Sequence, residues 1–393
     1  MSPAGFSHTS NHTTTPPRGE GEATVKRNPR AAVRWLLLAL LSLALATTVT
    51  ACGDDSPSGS TSGGNDTTTE AAAATEDTAD AGASEGGGGT DQKLNVGVVA
   101  NNLASPSVKR IGDAFEAAAK ERGWEVEMFD NKGDMAASNN QADRYLQRGV
   151  DAIVNINGPN SQMSGVIKRA KEKGIPFVSV YGGAGFGADV EIGTNESINS
   201  AAITQSMVDR LNGKGRVLIL KWNAGGVQAL LDRYATAKAV LSNQPGIEIA
   251  KEIEVKVPGQ VEDTYNQVTN FLKSDKNIDA VWVAFDEIAP SVVRALEQAD
   301  LDDKVFAVGF NGNPFAWDMI REGSPYIMEP ANPFEPMGEM AVQQVAKIAA
   351  GEKPTTGFIA MRPCMMTPET VPAEGEFPDW DTCPFFTGDI GAE

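Results

Sequence analysis

Residues 149–181 read GVDAIVNINGPNSQMSGVIKRAKEKGIPFVSVY, and this stretch decides the fold. Residues 152–156 and 177–181 are short runs rich in aliphatic and β-branched side chains, the signature of buried strands. Between them Met163, Val166, Ile167 and Ala170 fall at i, i+3, i+4 and i+7, one face of a helix. Gly174 stands where that helix stops, and Pro176 prevents it from continuing. Strand, helix and strand at this spacing form a β-α-β unit with parallel strands.

The alternation extends in both directions. Upstream lie strand-like runs at 94–100 and 126–129, with Val108, Ile111 and Phe115 at i, i+3 and i+7 between them. A further extended run ends at Thr194. The pattern then restarts: helix 197–211, strand 216–221, helix 227–241, strand 247–255, helix 262–272, strand 280–284, helix 288–299 and strand 305–310, with a last run at 326–329. Two successive runs of this kind predict an α/β protein with two doubly wound parallel-sheet lobes. Such sheets bind ligands beyond the carboxyl ends of their strands. Two lobes that face each other bring those ends around one cleft.

The strand ends carry polar and aromatic residues: Asn101-Asn102, Tyr181-Gly182-Gly183, Thr194-Asn195-Glu196, Lys221-Trp222-Asn223, Phe285-Asp286-Glu287 and Phe310-Asn311-Gly312-Asn313, with Asn332 after the last run. Amides and carboxylates bond hydroxyls as donors and acceptors, and an aromatic face covers the C–H face of a ring. The same residue types also end strands and cap helices. Their repetition at most strand ends favours a site for a neutral, sugar-like molecule.

The N-terminal part has a different logic. Arg30 and Arg34 precede an apolar stretch from Trp35 to Ala46, and Val49-Thr50-Ala51-Cys52 follows. The stretch is shorter than the ~20 apolar residues of a membrane span, and the order of its parts is that of a secretory signal peptide. The tetrapeptide resembles the bacterial lipobox, which implies that Cys52 is lipidated and becomes the first residue of the mature chain, and that 1–51 is removed. Residues 1–24 read as a polar tail, and Val25 would give a signal peptide of more usual length. From Gly53 to Gln92 the chain is mostly Gly, Ser, Thr, Ala and acid, with nine acidic residues and no basic ones. Such a composition cannot offset the entropy of ordering and reads as a disordered tether, with a mean span of roughly 35 Å.

Residues 1–51 hold five basic and two acidic residues, which leaves 28 basic against 50 acidic, a net charge of −22. An acidic body without a basic patch is repelled by nucleic acid and by anionic lipid. Both histidines, His8 and His12, lie in the segment expected to be removed. A mature chain without histidine has no Ser-His-Asp or Cys-His chemistry and no histidine-ligated metal. Cys364 and Cys383 remain, 19 residues apart. In an exported protein they most simply form a disulfide, with two free thiols as the alternative.

Taken together, the blocks Val96-Gly97 through Pro106, Gly149-Val150-Asp151-Ala152-Ile153, Gly174-Ile175-Pro176-Phe177, Gly213-Lys214-Gly215, Asp232-Arg233, Ile278-Asp279-Ala280-Val281, Asp286-Glu287, Val308-Gly309-Phe310-Asn311-Gly312, Met337-Gly338 and Gly351-Glu352-Lys353 resemble the sugar-type periplasmic binding proteins of ABC importers, ribose binders above all. The resemblance spans about 94–353. It implies the type I periplasmic binding protein fold, two lobes joined by a three-strand hinge, with 93–194 and 333–353 in one lobe and 195–332 and 354–393 in the other. Ahead of them stand 1–51 as signal peptide and 52–92 as anchor and tether. It also implies a monomer that closes on its ligand and is read by a membrane permease, which requires the ligand to prefer the closed state.

The resemblance points to a set of ligand-binding residues: Asn101, Ser105, Tyr181, Asn195, Trp222, Arg233, Phe285, Asp286, Asn311 and Asn332. Asn311 stands where the family has a binding Asp, and Phe285-Asp286 occupy its Asn-Asp pair. Asn332 is near a hinge glutamine. Tyr181 replaces a strand-end Asp, and Ser105 and Ser107 replace an Asn and a stacking Phe. Leu231 replaces the arginine that grips the sugar, with Arg233 nearby. These departures imply a neutral, less polar ligand, or a sugar held mainly by amides and stacking.

Three other motifs carry less. Gly82-Ala83-Ser84-Glu85-Gly86 fits a hydrolase pattern but lies in the tether, without strand, helix or histidine. Gly183 to Ala188 approaches a dinucleotide fingerprint, yet the extended run Asp189-Val190-Glu191-Ile192 follows where a helix is needed. Asp130 to Asp134 reads as a turn and helix cap rather than a calcium loop. Nothing calls for a cofactor or a metal. The expected function is a lipid-anchored extracytoplasmic solute receptor for an ABC importer, on the outer face of the cytoplasmic membrane, and not an enzyme. A sensor presenting bound ligand to a membrane signalling protein, or an exported enzyme on the same scaffold, are the alternatives.

Overall fold

A computed structural model describes residues 92–354 and 357–385. The expected signal peptide, Cys52 and the tether up to Asp91 lie outside the described residues. Within them two six-stranded sheets form the two lobes of an α/β fold.

The first sheet contains β1 (Asn95–Ala100), β2 (Glu125–Asp130), β3 (Ala152–Ile156), β4 (Phe177–Val180), β5 (Val190–Gly193) and β11 (Phe358–Ala360). Their spatial order is β11-β5-β4-β3-β1-β2, all parallel. The second contains β6 (Lys214–Lys221), β7 (Gly246–Glu254), β8 (Ala280–Val283), β9 (Phe306–Val308), β10 (Tyr326–Ala331) and β12 (Cys364–Met366). It repeats the order as β12-β10-β9-β8-β6-β7. In each sheet the strand order reverses between the first and third strands, β1/β3 and β6/β8, which leaves a crevice at their carboxyl ends.

Strand alternation sorts the first core. Val96, Val98 and Ala100 pack on one face with α1 (Pro106–Glu121) and α9 (Phe334–Ala349), while Val99 and Ile153 face α2 (Met135–Arg148) and α3 (Asn160–Lys173). Period-two burial on both faces requires helices on both faces. The β-α-β unit of 149–181 is present, with Gly174 in the left-handed region as the cap of α3. α9 approaches α1 closely, and Gly338 permits it. A Cβ there would lie 2.5 Å from the Ile111 carbonyl oxygen.

The second core is built around Trp282, Val281, Phe310, Trp317 and Tyr326, all 1 % exposed or less. Its helices are α4 (Glu196–Arg210), α5 (Gln228–Ser242), α6 (Gln260–Ser274), α7 (Ala289–Gln298) and α8 (Pro314–Arg321). Each fully buried large side chain contributes ~1.5–3 kcal/mol.

The chain passes between lobes at Thr194-Asn195, at Asn332-Pro333 and at 361–363. The tail departs from the expected division, which gave all of 354–393 to the second lobe. Phe358–Ala360 instead pairs with β5. The chain leaves α9 on the first lobe and covers the open edge of β5 before it crosses, so that edge is not left unpaired. After crossing, Cys364–Met366 pairs antiparallel with β10, so the second sheet is not wholly parallel. Cys364 and Cys383 are joined, with their Cα atoms 5.6 Å apart. The segment between them packs on α8, where Arg321 donates to the Pro372 carbonyl at 2.9 Å and Phe377 meets Trp317 edge-on.

Candidate functional site

A cavity of about 220 Å³ lies between the lobes, lined from both. It is small beside typical ligand sites of ~300–1,000 Å³. Asn101 and Asn157 mark the crevice at the ends of β1 and β3, and Trp222 and Phe285 mark the matching one at the ends of β6 and β8. The two switch points therefore face one another across the cavity.

Backbone strain collects here. Among the described residues seven non-glycine residues have left-handed backbone, and five of them line the cavity: Asn102, Lys132, Asn157, Tyr181 and Asn311. They follow β2 at Lys132, β3 at Asn157, β4 at Tyr181 and β9 at Asn311, and Asn102 follows β1. Such conformations cost about 1–3 kcal/mol each and persist where surroundings enforce them, commonly at functional sites.

Seven of the ten expected residues line the cavity: Asn101, Ser105, Tyr181, Trp222, Arg233, Phe285 and Asn311. The Asn101 amide donates to the Asn157 carbonyl at 3.0 Å, and its Oδ1 is buried without a partner. Trp222 meets Phe285 edge-on at 6.5 Å between ring centres. Its indole lies against Gly225, where a Cβ would come within 2.3 Å of the ring. Three expected residues lie elsewhere. Asn195 is exposed and caps α4 by accepting from Ile198 N. Asp286 is fully buried beneath Asn311. Asn332 is buried in the hinge, where its Oδ1 accepts from Thr194 Oγ1 at 3.4 Å.

One buried network ties the hinge to the cavity floor. The Tyr181 hydroxyl lies 2.7 Å from Thr194 Oγ1 and donates to Glu196 at 3.0 Å. Glu196 accepts from Arg233 at 2.6 and 2.9 Å. Arg233 Nη1 also donates to the Ala284 carbonyl and to Asn311 Oδ1, at 2.9 and 2.8 Å. Asn311 Nδ2 passes the chain to Asp286, which accepts further from the backbone and side-chain amides of Asn313. Burial alone would lower the pKa of Arg233, but the Glu196 carboxylate outweighs it and holds the guanidinium charged. Burial pushes the Asp286 carboxyl up to about 7. Glu329, bonded by Tyr326, is raised by burial and by the nearby Asp286 charge.

The lobes touch across the cleft. Ser105 Oγ donates to Glu287 at 2.5 Å, and Asn313 Nδ2 donates to Ser107 Oγ at 3.1 Å. Arg110 on α1 grips Glu335 with two nitrogens at 2.7 and 2.8 Å and donates to the Gly312 carbonyl of the other lobe at 2.7 Å.

The strand-end rule that selected Asn101 and Trp222 applies equally to Asn157 and Lys132, and Glu287 stands in a strand-end triplet already singled out. The apolar lining residues, Val108, Ile111, Leu230 and Phe334, carry no sequence signal that separates them from core. The turn at Asp130–Asp134 behaves as read, with Asp134 capping α2. The glycine loop after β4 leads into β5 rather than a helix. Among the described residues no cluster of acidic, cysteine or histidine side chains could hold a metal ion.

A family model described as periplasmic binding protein domain matches residues 96–353. The chain is similar to the ribose import binding protein of Bacillus subtilis, at 21 % identity over 267 residues, covering 67 % of this chain and 85 % of the relative. It is similar to a xylitol-binding protein of Mycolicibacterium smegmatis, at 25 % over 237 residues, covering 58 % and 64 %. Among solved structures, an ABC transporter solute-binding protein from Agrobacterium vitis with bound allitol superposes with TM-score 0.67 at 22 % identity, covering 72 % of this chain and 98 % of that one. An ABC sugar transporter subunit from Rhodobacter sphaeroides gives 0.66 at 23 %, covering 70 % and 98 %.

Proposed function

This chain belongs to the periplasmic binding protein domain family, and from that premise we propose that it captures a neutral sugar or polyol between its lobes and delivers it to an ABC permease. The observation that carries this reading is the cavity itself, set where two strand-order switch points face each other. Cross-cleft bonds at Ser105–Glu287 and Ser107–Asn313 give closure a physical basis, because a ligand that adds contacts to both lobes favours the closed state. Asn101, Ser105, Trp222, Phe285 and Asn311 are the proposed contacts. Asp286, Asn332, Arg233 and the hydroxyl of Tyr181 support them from behind, and Asn195 serves as a helix cap.

The proposed location is the outer face of the cytoplasmic membrane, with lipid on Cys52 and the acidic tether leading to the folded body. The sequence order of basic, apolar and small residues before Cys52 supports it. Cys52→Ser is expected to abolish incorporation of labelled fatty acid into the protein, and unchanged labelling would remove Cys52 as the lipid site.

The test of binding is a thermal-shift screen of the full chain against sugars and polyols, followed by scattering with and without the best compound. A shift with unaltered compound recovered supports capture. Absence of any shift across the panel, or recovery of a chemically changed compound, would end this reading.

A further inference from the structure

The residues that match the family end at 353, and the tail beyond them is tied down at several points. The Cys364–Cys383 bridge closes its base. Arg362 donates to the Cys383 carbonyl at 2.8 Å, and Met365 N donates to the Pro384 carbonyl at 2.7 Å. Further out, Arg321 of α8 donates to the Pro372 carbonyl at 2.9 Å, and Val371 and Trp380 pack on the second core. Between these fixed points the chain turns at Ala373–Glu376, with Gly375 in the left-handed region, and Phe377 follows the turn. A loop pinned at its base and on both flanks holds Phe377 in place with little further loss of chain entropy.

That place is the boundary between the lobes. Phe377 meets Trp317 of the second lobe edge-on, with ring centres 5.6 Å apart. Its ring also lies 5.4 Å from the Arg110 guanidinium on α1 of the first lobe. Two more rings face that guanidinium, Phe334 at 5.1 Å and Trp317 at 5.9 Å. Arg110 also donates to the Gly312 carbonyl at 2.7 Å. Phe334 belongs to the first lobe, and Trp317, Gly312 and Phe377 belong to the second. The quadrupole of an aromatic face attracts a guanidinium, so the tail supplies an attraction that crosses from one lobe to the other. Phe377 is 51 % exposed, and its truncation therefore opens no cavity in the core.

We propose that the disulfide-closed tail is a clasp for the closed arrangement of the lobes. It holds Phe377 against Arg110 across the boundary and so raises the closed fraction before any ligand arrives. A ligand that binds the closed state then gains apparent affinity in proportion to that fraction. The clasp goes beyond the capture of a particular molecule and does not depend on which molecule is captured.

The experiment is solution scattering of the ligand-free full chain, fitted as a mixture of open and closed molecules. Phe377→Ala is expected to raise the open-to-closed ratio about two- to fivefold, the factor that one partly exposed cation–π contact is worth, and so to enlarge the radius of gyration. Phe377→Tyr keeps the aromatic face and should match the unmodified protein. Cys364→Ala with Cys383→Ala should match Phe377→Ala. An unchanged ratio in Phe377→Ala overturns the inference, and so does an equal rise in Phe377→Tyr, which would trace the effect to local disturbance of the tail. An unmodified ratio in a folded cysteine variant also overturns it, because the bridge would then play no part. Should the cysteine variant fail to fold, the two Phe377 variants decide alone. No ligand is present, so failure here leaves the binding proposal standing.

Discussion

The Arg233 guanidinium lies 2.6 Å from the Glu196 carboxylate, and both side chains are 3 % exposed. Glu196 opens α4 immediately after the first interlobe crossing, and Arg233 sits on α5 beneath the cavity. The pair therefore joins the hinge to the floor of the site, in an interior where an unpaired charge is costly.

Removing one partner should be severe. Glu196→Gln is expected to lose about 3–5 kcal/mol of unfolding free energy, because it leaves the Arg233 charge buried. Denaturant unfolding with an unchanged slope is the measure. A replacement of both by Leu and Met should recover much of the loss, and a single-variant loss under about 1 kcal/mol would show that the pair is not needed.

Arg110 is expected to support the closed arrangement of the lobes. Its fork holds Glu335 and reaches the Gly312 carbonyl of the other lobe, with the rings of Phe334 and Phe377 at 5.1 and 5.4 Å. Arg110→Lys keeps charge but not the fork. About a tenfold loss of ligand affinity is expected, the size of one charged hydrogen bond. Scattering from the ligand-free variant should show a larger radius of gyration than the unmodified protein.

Trp222 and Asn311 test the cavity directly. Saturating ligand at a hundredfold excess over Kd stabilises by about 2.7 kcal/mol. Trp222→Ala and Asn311→Ala should each remove most of the resulting thermal shift. Unchanged shifts in both would place the ligand elsewhere.

Asp286 gives a pH signature. Burial pushes its carboxyl up to about 7, against ~3.9 in an unfolded chain. Between those values the folded protein holds a proton that the unfolded chain has released. The stabilising contribution is therefore full below about pH 4 and is lost as pH rises through 7, about 4 kcal/mol in all. Glu329, raised by burial in the same way, acts with the same sign. Unfolding free energy should fall more between pH 5 and pH 8 in the unmodified protein than in Asp286→Asn. Equal falls would remove Asp286 as the source.

The Cys364–Cys383 bridge closes a loop over α8. Cross-linking across 19 residues is worth about 3 kcal/mol by the loss of chain entropy in the unfolded state. Reduction, or Cys364→Ala with Cys383→Ala, should lower stability by that order, read as a fall in the denaturation midpoint.

Much of the fold was legible locally. Met163, Val166, Ile167 and Ala170 all face the core at 2 % exposure or less, and Gly174 caps the helix as its position predicts. These features depend on neighbours a few residues away, where periodicity and backbone sterics act. The strand-end rule likewise brings Asn101, Trp222 and Phe285 to the cavity lining, because residues at the end of a parallel strand can leave the core.

Only the tertiary structure could sort residues that share a local pattern. Asp286 and Glu287 are adjacent, yet the first is buried under Asn311 and the second faces the cavity. Val108 and Ile111 read as core and are also cavity wall. Arg233 reads as a ligand contact and is largely spent on Glu196, 37 residues away. The tail reads as part of one lobe, and Phe358–Ala360 completes the other. Sequence set which segments are strands and helices, since that follows from periodicity within each segment. The division of polar groups between ligand and framework was decided by partners distant in the chain, because a hydrogen-bonding group is free for a ligand only when nothing folded beside it has already used it.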